Sequence, residues 1–138
     1  METKYEPLRV LVIDDDSTLS EAILDTLSAR GIFASALRPT ASATAASVAG
    51  AAAAFMPDVV LLDIVMPVDT VRLVAALRAH PKLASTVILG CSGHSVLADG
   101  VADQLDGFLH KPFDATELVE AVEEAAVLRK RPSASQSP

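Results

Sequence analysis

A chain of 138 residues suits one domain, and with 51% apolar residues it can bury a core without disulfide staples. Aromatics make up 4% and Trp is absent, so Ala, Val and Leu must do most of the packing. The net charge of −7 argues against a nucleic-acid surface, no apolar run reaches the length of a membrane span, and Leu8 to Ile13, broken by Arg9, is too short for a signal peptide. The expectation is a cytoplasmic protein with no nucleic-acid or membrane partner.

Along the chain, short apolar runs alternate with longer helix-like stretches. Val10 to Ile13 reads as a strand that stops at Asp14-Asp15-Asp16. A helix follows, with Thr18 and Glu21 at capping-box spacing, Leu19, Ile23 and Leu27 every four residues, and Gly31 as its stop. Ile32 to Leu37 is a weaker strand. The Ala-rich stretch from Thr40 to Phe55 predicts a helix interrupted by Gly50. Val59 to Leu62 is the clearest strand and ends in Asp63. Val71 to Ala79 is helical, with Val71, Val74, Ala75 and Arg78 at helical spacing. Val87 to Cys91 and Gly107 to Leu109 complete five strands. The last helix begins at Asp114, paired with Glu117 in a second capping box, and ends before Pro132. Residues 1–7 form an N-terminal extension, 8–130 the domain, and 131–138 a disordered tail. Arg129-Lys130-Arg131 complements a helix dipole there rather than binding a polyanion. The single cysteine, Cys91, has no disulfide or zinc partners and is read as packing.

Strands with both faces apolar, interleaved with helices, predict an α/β fold: a parallel sheet covered on both sides. Ligands of such sheets bind beyond the carboxyl ends of the strands. Those ends carry Asp14, Asp15 and Asp16, then Asp63, then Ser92, then Lys111-Pro112. Singly, each is an ordinary turn, cap or loop residue. Together they set several carboxylates side by side, whose repulsion a hard divalent cation relieves. Mg2+ is the expected occupant, and Mn2+ could substitute. One carboxylate can then attack phosphorus, with Lys111 and the Ser92 hydroxyl donating to phosphoryl oxygens.

Four motifs in this order, Val12-Ile13-Asp14-Asp15-Asp16, Asp63-Ile64-Val65-Met66-Pro67, Ser92-Gly93 and Lys111-Pro112-Phe113, resemble those of response-regulator receiver domains over about Leu8 to Leu128. The resemblance implies a flavodoxin-like, doubly wound five-stranded parallel sheet in the order 2-1-3-4-5 with helices on both faces. It implies that Asp63 is the phosphoacceptor. Asp15 would be a metal ligand, with Asp14 acting directly or through water, and the Val65 carbonyl another. Lys111 would contact the phosphoryl group, and Pro112 would follow a cis peptide bond. Ser92 would be the switch hydroxyl, and Phe108 the aromatic that turns inward when Ser92 moves, although Phe108 equally fits ordinary core. Asp16 is left a surface role. The donor would be a phosphohistidine on a sensor histidine kinase or a histidine phosphotransfer protein. The message would pass to a downstream protein target, because ten residues beyond Leu128 are too few for an output domain.

Three departures from the family pattern stand out. Ser92 to Lys111 spans 19 positions, about three fewer than usual, so the helix between them, which includes Gly100, is expected to be short, distorted or mobile. Val68-Asp69-Thr70 replaces the usual Asp-Gly turn. Val65 cannot orient an attacking water, which predicts slow self-dephosphorylation unless His94 assists. His80 and His110 are read as surface residues. Two rival readings remain. One is a receiver-like interaction module that works without phosphorylation. The other is a haloacid dehalogenase-type phosphatase with Asp14 as nucleophile and Asp16 as general acid and base, from the pattern of four apolar residues and Asp-x-Asp-x-Thr.

Overall fold

The computed structural model describes residues 7–66, 68–93 and 101–130, apart from the side chains of Arg129 and Lys130. Pro67, His94, Gly100, Arg131, residues 1–6 of the N-terminal extension and the 131–138 tail therefore lie outside the described residues. The elements run β1 (Arg9–Ile13), α1 (Ser17–Ser28), β2 (Phe33–Leu37), α2 (Ala45–Phe55), β3 (Val59–Asp63), α3 (Thr70–Ala79), β4 (Val87–Ser92), β5 (Gly107–His110) and α4 (Ala115–Lys130). Two 3-10 turns, Pro81–Leu83 and Ala102–Gln104, precede β4 and β5.

All strand pairs are parallel, in the order β2-β1-β3-β4-β5, which is the flavodoxin-like topology expected. Alternate residues of each central strand point to opposite faces. Leu11, Ile13, Val60, Leu62 and Ile88 pack under α2 and α3, against Val48, Ala52, Leu73 and Leu77. Val10, Val12, Val59, Leu61 and Leu89 pack under α1 and α4, against Ile23, Leu27, Leu118 and Val122. This two-sided burial is why β1, β3 and β4 are continuous apolar runs in the sequence.

The helix starts are where the structure corrects the sequence reading. α1 is capped by Asp16, whose carboxylate accepts the Leu19 N–H at 3.0 Å, not by a Thr18–Glu21 box. Asp16 therefore has a local structural task at the surface. α1 closes at Gly31, which takes φ +78° while the Ile32 N–H returns to the Leu27 carbonyl at 3.1 Å. α2 starts at Ala45 instead of Thr40, because Thr44 and Ser47 form a reciprocal capping box. Gly50 lies inside α2 without interrupting it. On α3 the buried face is Leu73, Val74 and Leu77, while Val71 and Ala75 face solvent. Arg78 does not pack as core; it donates to the carbonyls of Gln104 (2.8 Å) and Thr86 (3.1 Å) and to the Asp106 carboxylate. The Asp114–Glu117 box is present as expected, with both backbone N–H groups received at 2.8–2.9 Å. Between Ser92 and Lys111, residues 94–100 lie outside the described residues, and the chain then enters β5 through the Ala102–Gln104 turn.

Candidate functional site

Parallel strands in register end together, and here the ends of β1, β3 and β4 form a shallow acidic floor. Asp14 follows β1 and is only 3% exposed, and Asp63 closes β3 at 5% exposed. Asp15 next to them is exposed. One carboxylate oxygen from each of Asp14, Asp15 and Asp63 can be chosen so that all three lie within 4.8 Å of one another. Such a set of hard oxygen donors fits a divalent cation.

Local hydrogen bonds aim these groups. The Asp14 carboxylate accepts the Asp16 N–H at 2.9 Å, which turns the chain sharply into α1. Asp63 accepts the Val65 N–H at 3.0 Å. The Ile64 N–H reaches the Cys91 carbonyl at 3.0 Å, and the Thr70 hydroxyl donates to the Ile64 carbonyl at 2.9 Å. Thr70 thus pins the loop after β3 to the start of α3. Sequence reasoning missed that task, though its signal was available: Asp69-Thr70 stands where the family's Asp-Gly turn is replaced, and Asp69 caps α3 through the Arg72 N–H at 3.2 Å.

Lys111 follows β5 and enters the same floor from the other side. Its Nζ lies 3.2 Å from Asp14 and 3.5 Å from Asp63, and its backbone N–H donates to the Ser92 carbonyl at 2.9 Å. The Lys111–Pro112 peptide bond is cis, as the resemblance implies. Ser92 is buried at the end of β4, beside the pair formed by Asp63 and Cys91. Val65 is 58% exposed over the loop.

Three carboxylates facing one ammonium leave an excess of negative charge. Burial, with Asp14 adding to it, pushes the Asp63 carboxyl up to about 6, although the Val65 N–H and Lys111 pull the other way. For Lys111, burial favours the neutral amine, but Asp63 and Asp14 outweigh it and raise its pKa. Burial pushes the Cys91 thiol up to about 12, so it stays protonated within the α1 and α4 core, as the packing assignment expects.

Phe108 stands one strand position before the edge of this floor. It is half-buried, pairs with Gly90 of β4, and meets the ring of His110 edge-on at 4.7 Å. His110 is exposed, as expected. His80 is half-buried and caps the Pro81–Leu83 turn, its Nδ1 accepting the Lys82 N–H at 3.1 Å.

Comparison with known proteins gives a consistent answer. The family model described as "Response regulator receiver domain" matches residues 10–123. The transcriptional regulatory protein PrrA of Mycobacterium tuberculosis is 38% identical over 141 residues, covering 99% of this chain. The chain spans 57% of the length of that relative. Among solved structures, a CheY-like receiver domain from Methylobacillus flagellatus superposes with a TM-score of 0.73 at 21% identity, over 87% of this chain and 99% of the other. The chemotaxis response regulator CheY4 of Vibrio cholerae gives 0.71 at 22% identity, over 87% and 99%. At those identities the two structures speak for the fold alone.

Proposed function

We propose, from the premise that this chain belongs to the response regulator receiver domain family, that it accepts a phosphoryl group on Asp63 and uses the resulting charge to alter a protein-binding surface. The observation that carries this reading is the convergence of Asp14, Asp15, Asp63 and Lys111 from separate strand ends on one floor. On it, residues 8–130 are the receiver unit. The phosphoryl donor is the phosphohistidine of a sensor histidine kinase or of a histidine phosphotransfer protein.

Asp14, Asp15 and Asp63, with the Val65 carbonyl, are the groups that would hold Mg2+. When bound, the ion supplies positive charge to phosphoryl oxygens that the three carboxylates would otherwise repel. The remaining work belongs to the chain. Asp63 reacts as the carboxylate; without a cation, burial pushes its carboxyl up to about 6, and a bound cation would favour the charged form. A carboxylate oxygen forms the new O–P bond as the P–N bond to the donor imidazole breaks, and the imidazole leaves with the electron pair. Lys111, held by Asp14, lies beside the acceptor to pair with a phosphoryl oxygen. On this reading Ser92 donates its hydroxyl to another and is displaced in doing so, with Phe108 as the aromatic that moves after it. The Val65 side chain offers no polar atom to orient water, so the acyl phosphate hydrolyses slowly unless His94 assists.

Incubation with a small acyl- or amido-phosphate, read by intact mass, tests this directly. A single Mg2+-dependent adduct is expected in the wild type and absent from Asp63→Asn. No adduct with unconsumed donor would favour a phosphorylation-independent module. Donor turnover that survives Asp63→Asn and dies in Asp14→Asn would mean the phosphatase instead. Val65→Asn is expected to shorten the phosphoryl lifetime severalfold, measured by loss of the adduct; an unchanged lifetime removes Val65 from the account.

A further inference from the structure

Gly90 occupies the middle of β4, where a glycine costs backbone entropy and contributes no packing. It is buried between β3 and β5, paired with Leu62 on one side and Phe108 on the other. Its cost has a counterpart in the space it leaves. A Cβ built on Gly90 would meet Leu105 Cδ1 at 2.7 Å, Ile64 Cδ1 at 3.1 Å and a Phe108 ring carbon at 3.2 Å. Side chains from three separate segments therefore converge on the point where β4 has none.

The origin of each segment gives the convergence its meaning. Ile64 directly follows Asp63, and its backbone is held to Cys91 on β4 and to Thr70 on α3. Leu105 closes the 3-10 turn that leads into β5. Phe108 lies on β5 and passes the contact to the exposed ring of His110, 4.7 Å away. A rigid, hydrogen-bonded backbone at Ile64 ties its side chain to whatever displaces the Asp63 loop, and close-packed apolar groups transmit displacement poorly only where a void intervenes. Here an atom of each of the three side chains lies within 3.2 Å of one point beside Gly90.

We propose that Gly90 is a notch in β4 through which Ile64 couples the state of Asp63 to Leu105 and Phe108, alongside the Ser92 hydroxyl. This rests on the phosphoacceptor reading of Asp63. It assigns positioning roles to Gly90 and Ile64, neither of which touches the phosphoryl group.

The experiment uses the full 138-residue chain and tracks backbone amide resonances as Mg2+ and beryllofluoride, a phosphoryl mimic, are added. In the wild type, shifts are expected at Val65 and Lys111 and also at Leu105 and Phe108. Ile64→Val deletes the Cδ1 carbon with little threat to folding; it is expected to keep the shifts at Val65 and Lys111 and to cut those at Leu105 and Phe108 by at least half. Gly90→Ala should displace Leu105 and Phe108 before any ligand is added and halve the same response. Full-size shifts at Leu105 and Phe108 in Ile64→Val would overturn the notch, as would a wild type in which only Val65 and Lys111 respond. A wild type with no shift even at Val65 and Lys111 would remove the phosphoacceptor reading, and the notch with it.

Discussion

Where the strands begin, the Arg9 guanidinium lies 4.8 Å from the ring centroid of Phe33 and 4.5 Å from that of Phe55, with the two rings 5.6 Å apart. The same group donates to the Phe55 carbonyl at 2.6 and 3.0 Å and to the Met56 carbonyl at 3.2 Å, while Asp58 accepts the Arg9 backbone N–H at 2.8 Å. Where the strands end, Asp14, Asp15 and Asp63 lie together, and Lys111 pairs with Asp14 and Asp63. Both edges hold charge against apolar surface. At the first, the cation lies over ring faces and donates to carbonyl oxygens. At the second, negative charge outnumbers positive, and a buried carboxyl is driven up to about 6. Satisfied charge holds a fold; unsatisfied charge is a standing demand for a ligand.

Substitutions at the two edges should therefore separate function from stability. The largest effect is expected from Lys111→Ala, which removes the one ammonium paired with Asp14 and Asp63. Transfer from a small phosphodonor should fall about 100-fold or more, the scale of deleting one preorganised electrostatic donor, with the fold kept. A rate within a few-fold of wild type would show that the strand-end imbalance is not used in chemistry.

Next comes Asp63→Asn, read by denaturant unfolding in metal-free buffer. The folded-state pKa of Asp63 stands above its ordinary value of 3.8, so the folded chain holds that proton more tightly than the unfolded one. Its contribution to stability is fully present below 3.8 and is lost as pH rises through about 6. The Asn variant should thus be more stable than wild type by up to about 3 kcal/mol at pH 8, and the two should converge near pH 4. Added Mg2+ should narrow the gap at pH 8 by stabilising the wild type more. An Asn variant that is less stable at pH 8 would mean that Asp63 is as well matched as Arg9.

The smallest effect is expected at the opposite edge. Arg9→Ala loses two ring contacts and the carbonyl hydrogen bonds, a cost of about 1–2 kcal/mol, while phosphoryl acceptance stays within twofold of wild type. A large loss of acceptance without a loss of stability would tie the two edges together and undo the comparison.

The two edges also differ in how readily the sequence discloses them. The strand-end site was legible because topology does the assembling: once five strands are recognised as parallel, the residues just after Ile13, Leu62, Cys91 and His110 must be neighbours. The central strands were legible for the same reason, since burial on both faces writes itself as an unbroken apolar run. Helix starts were less legible, because Thr40, Ser42 and Thr44 are all chemically able to cap. In the structure Thr44 is the one that does so, paired with Ser47. The Arg9 cluster left no sequence signal, since residues 9, 33 and 55 belong to three elements with no shared period. Gly90 was equally silent, for the purpose of a missing side chain depends on which others fill its place. Arg78 shares a helical repeat with apolar residues yet spends its hydrogen bonds on the turn before β5.

Asp14 and Lys111 pair across 97 positions of the chain. At synthesis rates of about 5–20 residues per second, the ribosome needs roughly 5–20 s to travel from one codon to the other. Asp63 is made about halfway through that interval, and until β5 docks neither aspartate has Lys111 beside it. A chain that stops before β5 would therefore lack the Lys111 ammonium beside Asp14 and Asp63. β5, the last strand of the sheet in chain order, is thus the one that completes the charge pattern at the strand ends.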